Sequence, residues 1–260
     1  MNVIGAIGLV SSITASYDLY SVCFARVESA PARAFIVDPE LPKRIPVAFA
    51  IHVIRGADRI ILIDTGFERH QVADGWKLSE HRSVVELLRE IGVEPDDITD
   101  VILTHAHWDH WQGLGNFPQA TVWLSKRMAA SAPPRLASML RKRSKQVQRI
   151  DGDGGDVAPG IRAIPVGLHT PGFQYVEVRV GKELWIFSSD LAPLHRNFER
   201  MRSTGQTASS RRTLKWMATI LERVDRDAQR IIPSHDPHLC RGHSTFKHEL
   251  GEDHRRRERQ

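Results

Sequence analysis

The chain of 260 residues is long enough for one large α/β domain with a substantial core. Hydrophobic residues make up 41% and charged residues 26%, as in ordinary soluble globular proteins, and no stretch approaches the roughly 20 apolar residues of a membrane span. The net charge of +5 invites a nucleic-acid reading. However, the basic run from Arg135 to Arg149 has no interleaved aromatic residue on which bases would stack, so a solvated charged face is expected instead.

Residues 1–10 are apolar, but the first basic residue is Arg26, so a secretory signal is not expected; residues 1–16 read as an extension that is disordered or strand-forming. Residues 17–27, 47–54 and 59–64 read as strands, the last two joined by the Gly56-Ala57-Asp58 turn. Residues 83–91 carry Val84, Leu87, Leu88 and Ile91 at helical spacing, with Gly92 as C-cap. Strands follow at 101–103 and 121–124, then a mainly helical insert over 126–150, broken at Pro133-Pro134, and a Gly/Asp loop at 151–155. Residues 161–165, 174–180, 183–187 and 229–232 read as strands, and 213–223 as an amphipathic helix. The domain is thus expected over 17–240, with 241–260 a basic, disordered tail ending in Arg255-Arg256-Arg257-Glu258-Arg259. Cys23 and Cys240 lie far apart with no metal-site spacing; nothing calls for an oxidising compartment, so a cytoplasmic protein is expected.

Between Leu103 and Gly113 the chain reads Leu-Thr-His-Ala-His-Trp-Asp-His-Trp-Gln-Gly, directly after the apolar Val101-Ile102. Burying His105, His107, Asp109 and His110 without partners costs several kcal/mol, whereas imidazole and carboxylate are the ligand types that hold zinc, iron or manganese. Faces alternate along an extended segment, so His105 and His107 can address one ion. Once the chain turns, Asp109 and His110 reach a second, and Asp109 suits the positive start of a helix. A histidine-rich surface turn is the plain alternative, which this ligand density disfavours. Downstream, His169, Asp190 and His235 each stand just past a buried strand, where open α/β folds place their chemistry. Singly each suits a structural role; together they complete a two-ion set.

The order HxHxDH, His169 in His-Thr-Pro-Gly, Asp190 after a hydrophobic strand and a late His235 resembles the metallo-β-lactamase superfamily over roughly residues 64–235. Ile61-Leu62-Ile63-Asp64-Thr65-Gly66 resembles that family's Asp-Thr-Gly turn. The resemblance implies a four-layer αββα sandwich holding two divalent ions, zinc first, with iron or manganese as alternatives. It implies one ion on His105, His107 and His169, and the other on Asp109, His110 and His235. Asp190 would bridge them, and Asp64 would accept a hydrogen bond from a ligand behind the site. Asp109 and Asp190 would be the catalytic carboxylates, beside a hydroxide shared by ions about 3.5–4 Å apart that attacks the carbonyl.

Within the superfamily, His107 replaces the Glu of the di-iron flavoprotein branch, and a bridging Asp190 is foreign to the antibiotic-cleaving branch. Nuclease branches carry longer insertions. The Tyr17-Asp18-Leu19-Tyr20 opening, the Pro46-Val47-Ala48-Phe49-Ala50 strand and the Pro233-Ser234-His235-Asp236-Pro237 ending resemble the N-acyl homoserine lactonase branch. That implies a lactonase acting on an N-acyl homoserine lactone or a carboxylated catabolic lactone. A glyoxalase II-like thioesterase is the alternative, and a mononuclear iron persulfide dioxygenase the rival from another class. A nucleic-acid-binding protein with structural metals is a further rival. Trp108, Phe173 and His195 are the candidate substrate contacts, with Trp111 as packing. Phe173 replaces a second His of many relatives, and Pro193 stands where homoserine lactonases carry a Tyr; His195 would then supply the donor. The implied partners are a small lactone or ester, with neither nucleic acid nor membrane, for a monomer or homodimer.

Overall fold

The computed structural model describes residues 16–56, 58–240 and 245–248. The first sheet is built from β1 (Asp18–Pro31), β2 (Arg44–Arg55), β3 (Ile60–Ile63), β4 (Glu80–His81), β5 (Asp100–Ile102), β6 (Thr121–Ser125) and β7 (Val147–Ile150). The second holds β8 (Gly155–Ala158), β9 (Ile161–Pro165), β10 (Gln174–Val180), β11 (Glu183–Phe187) and β12 (Ile231–Ile232). A last strand, β13 (Thr245–His248), returns to the first sheet beside β1, giving the order β13-β1-β2-β3-β5-β6-β7 with β4 also on β1. The β1-β2-β3 run is antiparallel and β3-β5-β6-β7 parallel. In the second sheet, among the described residues, only the β11–β12 pair is parallel.

The two-residue period of the strands sorts the core into layers. On β3, Ile61 and Ile63 face Val176, Val178 and Phe187 between the sheets, while Leu62 turns the other way. That side carries α1 (Ala32–Phe35), α2 (Val84–Glu90), α3 (Trp108–Trp111), α4 (Lys126–Ala130) and α5 (Pro134–Lys142); Leu62 joins Leu87 and Leu88 of α2 there, and α5 adds Leu136 and Leu140. On the far side, Tyr175, Leu184 and Ile186 pack against Phe198 of α6 (His195–Arg200) and Met217 and Ile220 of α7 (Ser210–Arg223). The order is helix, sheet, sheet, helix, as the resemblance implies.

Several boundaries differ from expectation. Helix ends at Lys142, and residues 147–150 form β7, a parallel edge strand with Val147 and Ile150 buried and Gln148 and Arg149 exposed. Two apolar residues three apart satisfy a helical period as well as a strand, which hides this element in the sequence. The loop at 151–155 gives way to β8, and the strand read at 229–232 is a 3₁₀ turn followed by the two residues of β12. The tail boundary at 240 also shifts, because β13 pairs with β1 through Leu19–His248 to Val22–Thr245. All but Ser16 of the N-terminal extension, and residues 241–244 and 249–260 of the expected tail, lie outside the described residues. No described helix is long and apolar enough to cross a membrane. Cys23 and Cys240, read as separate thiols, are joined in a disulfide with Cα atoms 5.4 Å apart.

Candidate metal centre

All the ligand candidates stand at one edge of the sandwich, because each follows a strand. After β5 the chain stays extended through His105 and reaches His107 (φ −69°, ψ 147°), from which the single turn of α3 lifts Asp109 and His110. That turn rests on the end of β3: Thr65 N–H donates to His110 O at 2.8 Å and Gly113 N–H to Gly66 O at 2.8 Å. A Cβ at Gly113 would lie 2.2 Å from Thr65 O, so only glycine permits this approach. Asp64 itself is left-handed (φ 62°), as is Ser189 (φ 45°), which precedes Asp190 in the turn after β11. His169 sits in the loop after β9, and His235 just beyond β12.

These segments bring seven side chains into two adjoining groups: His105, His107, His169 and Asp190, and then Asp109, His110 and His235, the ligand atoms of each group lying within 4.8 Å of one another. Asp190 faces both. Its Oδ2 is 3.3 Å from His169 Nε2 and 3.6 Å from His105 Nε2. Its Oδ1 is 3.1 Å from His235 Nε2 and 3.6 Å from His110 Nε2. Asp109 Oδ2 closes the second group at 3.4 Å from His110 Nε2 and 3.6 Å from His235 Nε2. His107 turns Nδ1 inward, 3.1 Å from His105 Nε2 and 2.9 Å from His169 Nε2.

Behind the cluster, the other nitrogen of four imidazoles is held by the protein. His110 Nδ1 is 2.7 Å from Asp64 Oδ2, His105 Nδ1 3.1 Å from Thr104 Oγ1, His169 Nδ1 2.6 Å from Gln206 O and His235 Nδ1 2.8 Å from Ala48 O. Ser234 Oγ donates to Asp190 Oδ1 at 2.9 Å. Such fastening fixes each ring's tautomer and aims its free nitrogen inward. The donor chemistry, imidazole and carboxylate, fits divalent ions, and the buried His110 Nε2 has no hydrogen-bond partner among the described residues.

The electrostatics divide the imidazoles. Burial, then the charge of neighbouring imidazoles, pushes His105 well below its usual range and His107 down to about 4, so both stand neutral with a lone pair to give. Burial would do the same to His110 and His235, but Asp109, Asp64 and Asp190 around the first, and Asp190 and Asp109 around the second, raise them. Burial would raise the Asp109 and Asp190 carboxyls; His110 and His235 hold them below the usual carboxylate range.

The candidate substrate contacts separate. Trp108, partly exposed, joins an aromatic wall in which its ring centroid is 4.5 Å from Phe67, 6.0 Å from Phe49 and 6.2 Å from Trp76. Phe35 and Phe49 extend that wall to His235, with centroids 5.2 and 5.1 Å away. Phe173 is fully buried, 5.6 Å from His105 and 5.8 Å from His169, behind those rings. Trp111 is buried and donates Nε1–H to Ala106 O at 3.1 Å. His195 is not brought to the cluster: it lines a separate cavity with Trp185, His238 and His248. Pro193 contributes its carbonyl, which accepts the His235 N–H at 3.0 Å. Thr104, Gln206, Ser234 and the wall residues Phe35 and Trp76 were not legible as site residues, because each acts through a neighbour rather than through a ligand motif of its own.

The fold and site define an α/β sandwich with a two-group His/Asp centre at the end of its strands. Residues 50–235 match the metallo-β-lactamase superfamily, and the chain belongs to that family. Among curated proteins it is similar to an N-acyl homoserine lactonase of Bacillus cereus, at 27% identity over 156 residues, covering 54% of this chain and 62% of that one. The N-acyl homoserine lactonase AiiA of Bacillus thuringiensis subsp. kurstaki is 28% identical over 127 residues, covering 47% of this chain. A probable metallo-hydrolase of Mycobacterium bovis is 25% identical over 183 residues, covering 58% and 59% of the two chains. The matched stretch thus spans between half and about three-fifths of the length of these relatives, 50% for AiiA and 62% for the B. cereus protein. In fold, the chain is similar to an N-acyl homoserine lactone hydrolase with N-hexanoyl-L-homoserine bound at its catalytic metal centre (TM-score 0.69, 18% identity, 87% and 95% of the chains). It is also similar to the dizinc quorum-quenching lactonase AidC (TM-score 0.64, 18% identity, 86% and 92%).

Proposed function

We propose that the chain is a metal-dependent hydrolase that opens a lactone ring, and that Asp190 joins two ion sites. The observation that carries this reading is the placement of the two Asp190 oxygens, one toward His105 and His169 and the other toward His110 and His235. His105, His107 and His169 would hold one ion, and Asp109, His110 and His235 the other. When bound, a pair of divalent ions activates a water near pH 7 and polarises a carbonyl. The chain's own part is positional and protonic. The neutral His105 and His107 and the ionised Asp109 and Asp190 need no proton removed before they can serve as ligands. The Asp109 carboxylate would take the proton of the attacking water and return it to the ring oxygen as the acyl–oxygen bond breaks. Atoms balance as lactone plus water giving a hydroxy acid.

Trp108 and Trp76, partly exposed and backed by the buried Phe35 and Phe49, would give the substrate an apolar neighbour near His235. A lactone with an acyl or other apolar substituent suits that wall, and the similarity to N-acyl homoserine lactonases supports the same class. The test is acid release from a panel of acyl homoserine lactones, simple lactones, carboxylated lactones and a thioester, with the zinc-loaded chain. Turnover of a lactone class is expected. Turnover of the thioester alone would move the reading to a thioesterase, and one bound iron without hydrolysis would favour the dioxygenase.

A further inference from the structure

Resting on the two-ion reading above, we infer that Thr104 is a positioning residue shared by both ion sites, and that its hydroxyl couples their occupancy. The argument is one of proton order. Asp64, an acceptor-only carboxylate, takes the Thr104 N–H on Oδ1 at 2.7 Å, and on Oδ2 both the Thr104 hydroxyl and His110 Nδ1, each at 2.7 Å. The single proton of Thr104 Oγ1 is therefore spent on Asp64. Its two remaining neighbours, His105 Nδ1 at 3.1 Å and Ser189 Oγ at 2.9 Å, must then both donate to it. One hydroxyl with one donated and two accepted bonds is saturated.

Each bond fixes something at the centre. His110 must carry a proton on Nδ1, which turns Nε2 toward the Asp109 group. His105 must carry its own on Nδ1, which leaves Nε2 free in the group with His107 and His169. Ser189 is tied by its side chain while its backbone is left-handed (φ 45°), a conformation that L-residues rarely adopt. The residue it delivers is Asp190, the carboxylate facing both groups. Thr104, His105 and Ser189 are all buried, so water cannot replace a lost bond without opening the site. One hydroxyl thus orders an imidazole of the first group directly, an imidazole of the second through Asp64, and the shared carboxylate through Ser189. An ion that seats one group stiffens the network that presents the other, so loading is cooperative.

The test is zinc affinity of the full chain, measured by competition with a chromophoric chelator. Thr104→Val keeps the shape and removes the hydroxyl, and is expected to weaken both ions by about 10–100-fold, the usual cost of losing an outer partner. Thr104→Ser should restore both. Thr213→Val, the same change at an equally buried hydroxyl on α7, should alter neither. If Thr104→Val does not fold, Ser189→Gly serves: it relieves the left-handed backbone but removes the bond, and should still weaken both ions. Wild-type affinity in these variants, or weakening of one ion with the other unchanged, would overturn the coupling. A wild-type chain that takes up no zinc would contradict the metal reading itself, and this inference with it.

Discussion

Asp190 and Gly113 show how much of this site hangs on single residues. Asp190 is buried between His110 and His235 on one side and His105 and His169 on the other. Asp190→Asn keeps its size but removes the charge that both groups share. Elemental analysis is expected to find fewer than half of the wild-type ions retained, with far-ultraviolet circular dichroism unchanged; full retention would contradict the shared role. Gly113→Ala acts differently, because its Cβ would sit 2.2 Å from Thr65 O and push α3 off the turn that carries Asp64. A loss of about 1–3 kcal/mol is expected from such overpacking, read as a lower denaturant midpoint. The HxHxDH cluster was legible as a candidate ligand set because several metal-binding types fall within six residues. Thr104, adjacent to them, was not, because a threonine beside a histidine has no distinguishing spacing; only the fold brings Ser189 and Asp64 to its hydroxyl.

At the scale of elements, the last candidate ligand depends on a short, irregular segment. Residues 233–240 contain His235 and a 3₁₀ turn (Pro237–Cys240), and hydrogen-bond to β2 through Ala48 N–H to His235 O and Ala50 N–H to Ser234 O. The Cys23–Cys240 disulfide fastens the end of this segment to β1, across 217 residues of sequence. Replacing both cysteines with serine is expected to cost about 2–5 kcal/mol of stability. It should also let a chelator strip an ion faster, because His235 is five residues from the lost clamp. Equal melting and equal metal loss, with and without the bond, would contradict a clamping role. The expectation of a cytoplasmic protein rested on unpaired thiols, and the disulfide removes that premise, since such bonds persist chiefly in oxidising compartments. Sequence spacing could not reveal the pairing, because two cysteines this far apart meet only through the stacking of β1 on the last turn. The edge strands β7 and β13 were hidden for a related reason: each has four residues, two of them exposed, so neither displays the apolar run that marked β3 and β11.

Across the whole molecule, the sandwich keeps histidines neutral well away from the ligands. His248 lies on β13 with Nε2 2.8 Å from Ser21 Oγ, and burial, then the charge of His195, pushes it from 6.5 to about 3. A depressed histidine is neutral in the folded chain and protonated in the unfolded chain below about pH 6.5. Its contribution is therefore whole above about pH 6.5 and lost as pH falls toward about 3, by about 1.4 kcal/mol per pH unit. His248→Gln, which cannot titrate, is expected to flatten that part of the stability profile between about pH 6.5 and about pH 5. An unchanged slope in denaturant titrations would contradict the assignment. The four-layer order was legible at this scale through the resemblance carried by the ligand motifs, whereas periodicity alone gave strands and helices without their stacking.

The most direct test of the proposed two-ion centre is anomalous scattering from crystals of the zinc-loaded chain. Two peaks are expected, one among His105, His107 and His169 and one among Asp109, His110 and His235, about 3.5–4 Å apart with Asp190 between them. A single peak on the first group, with Asp109 and His235 bonded only to protein, would contradict the account.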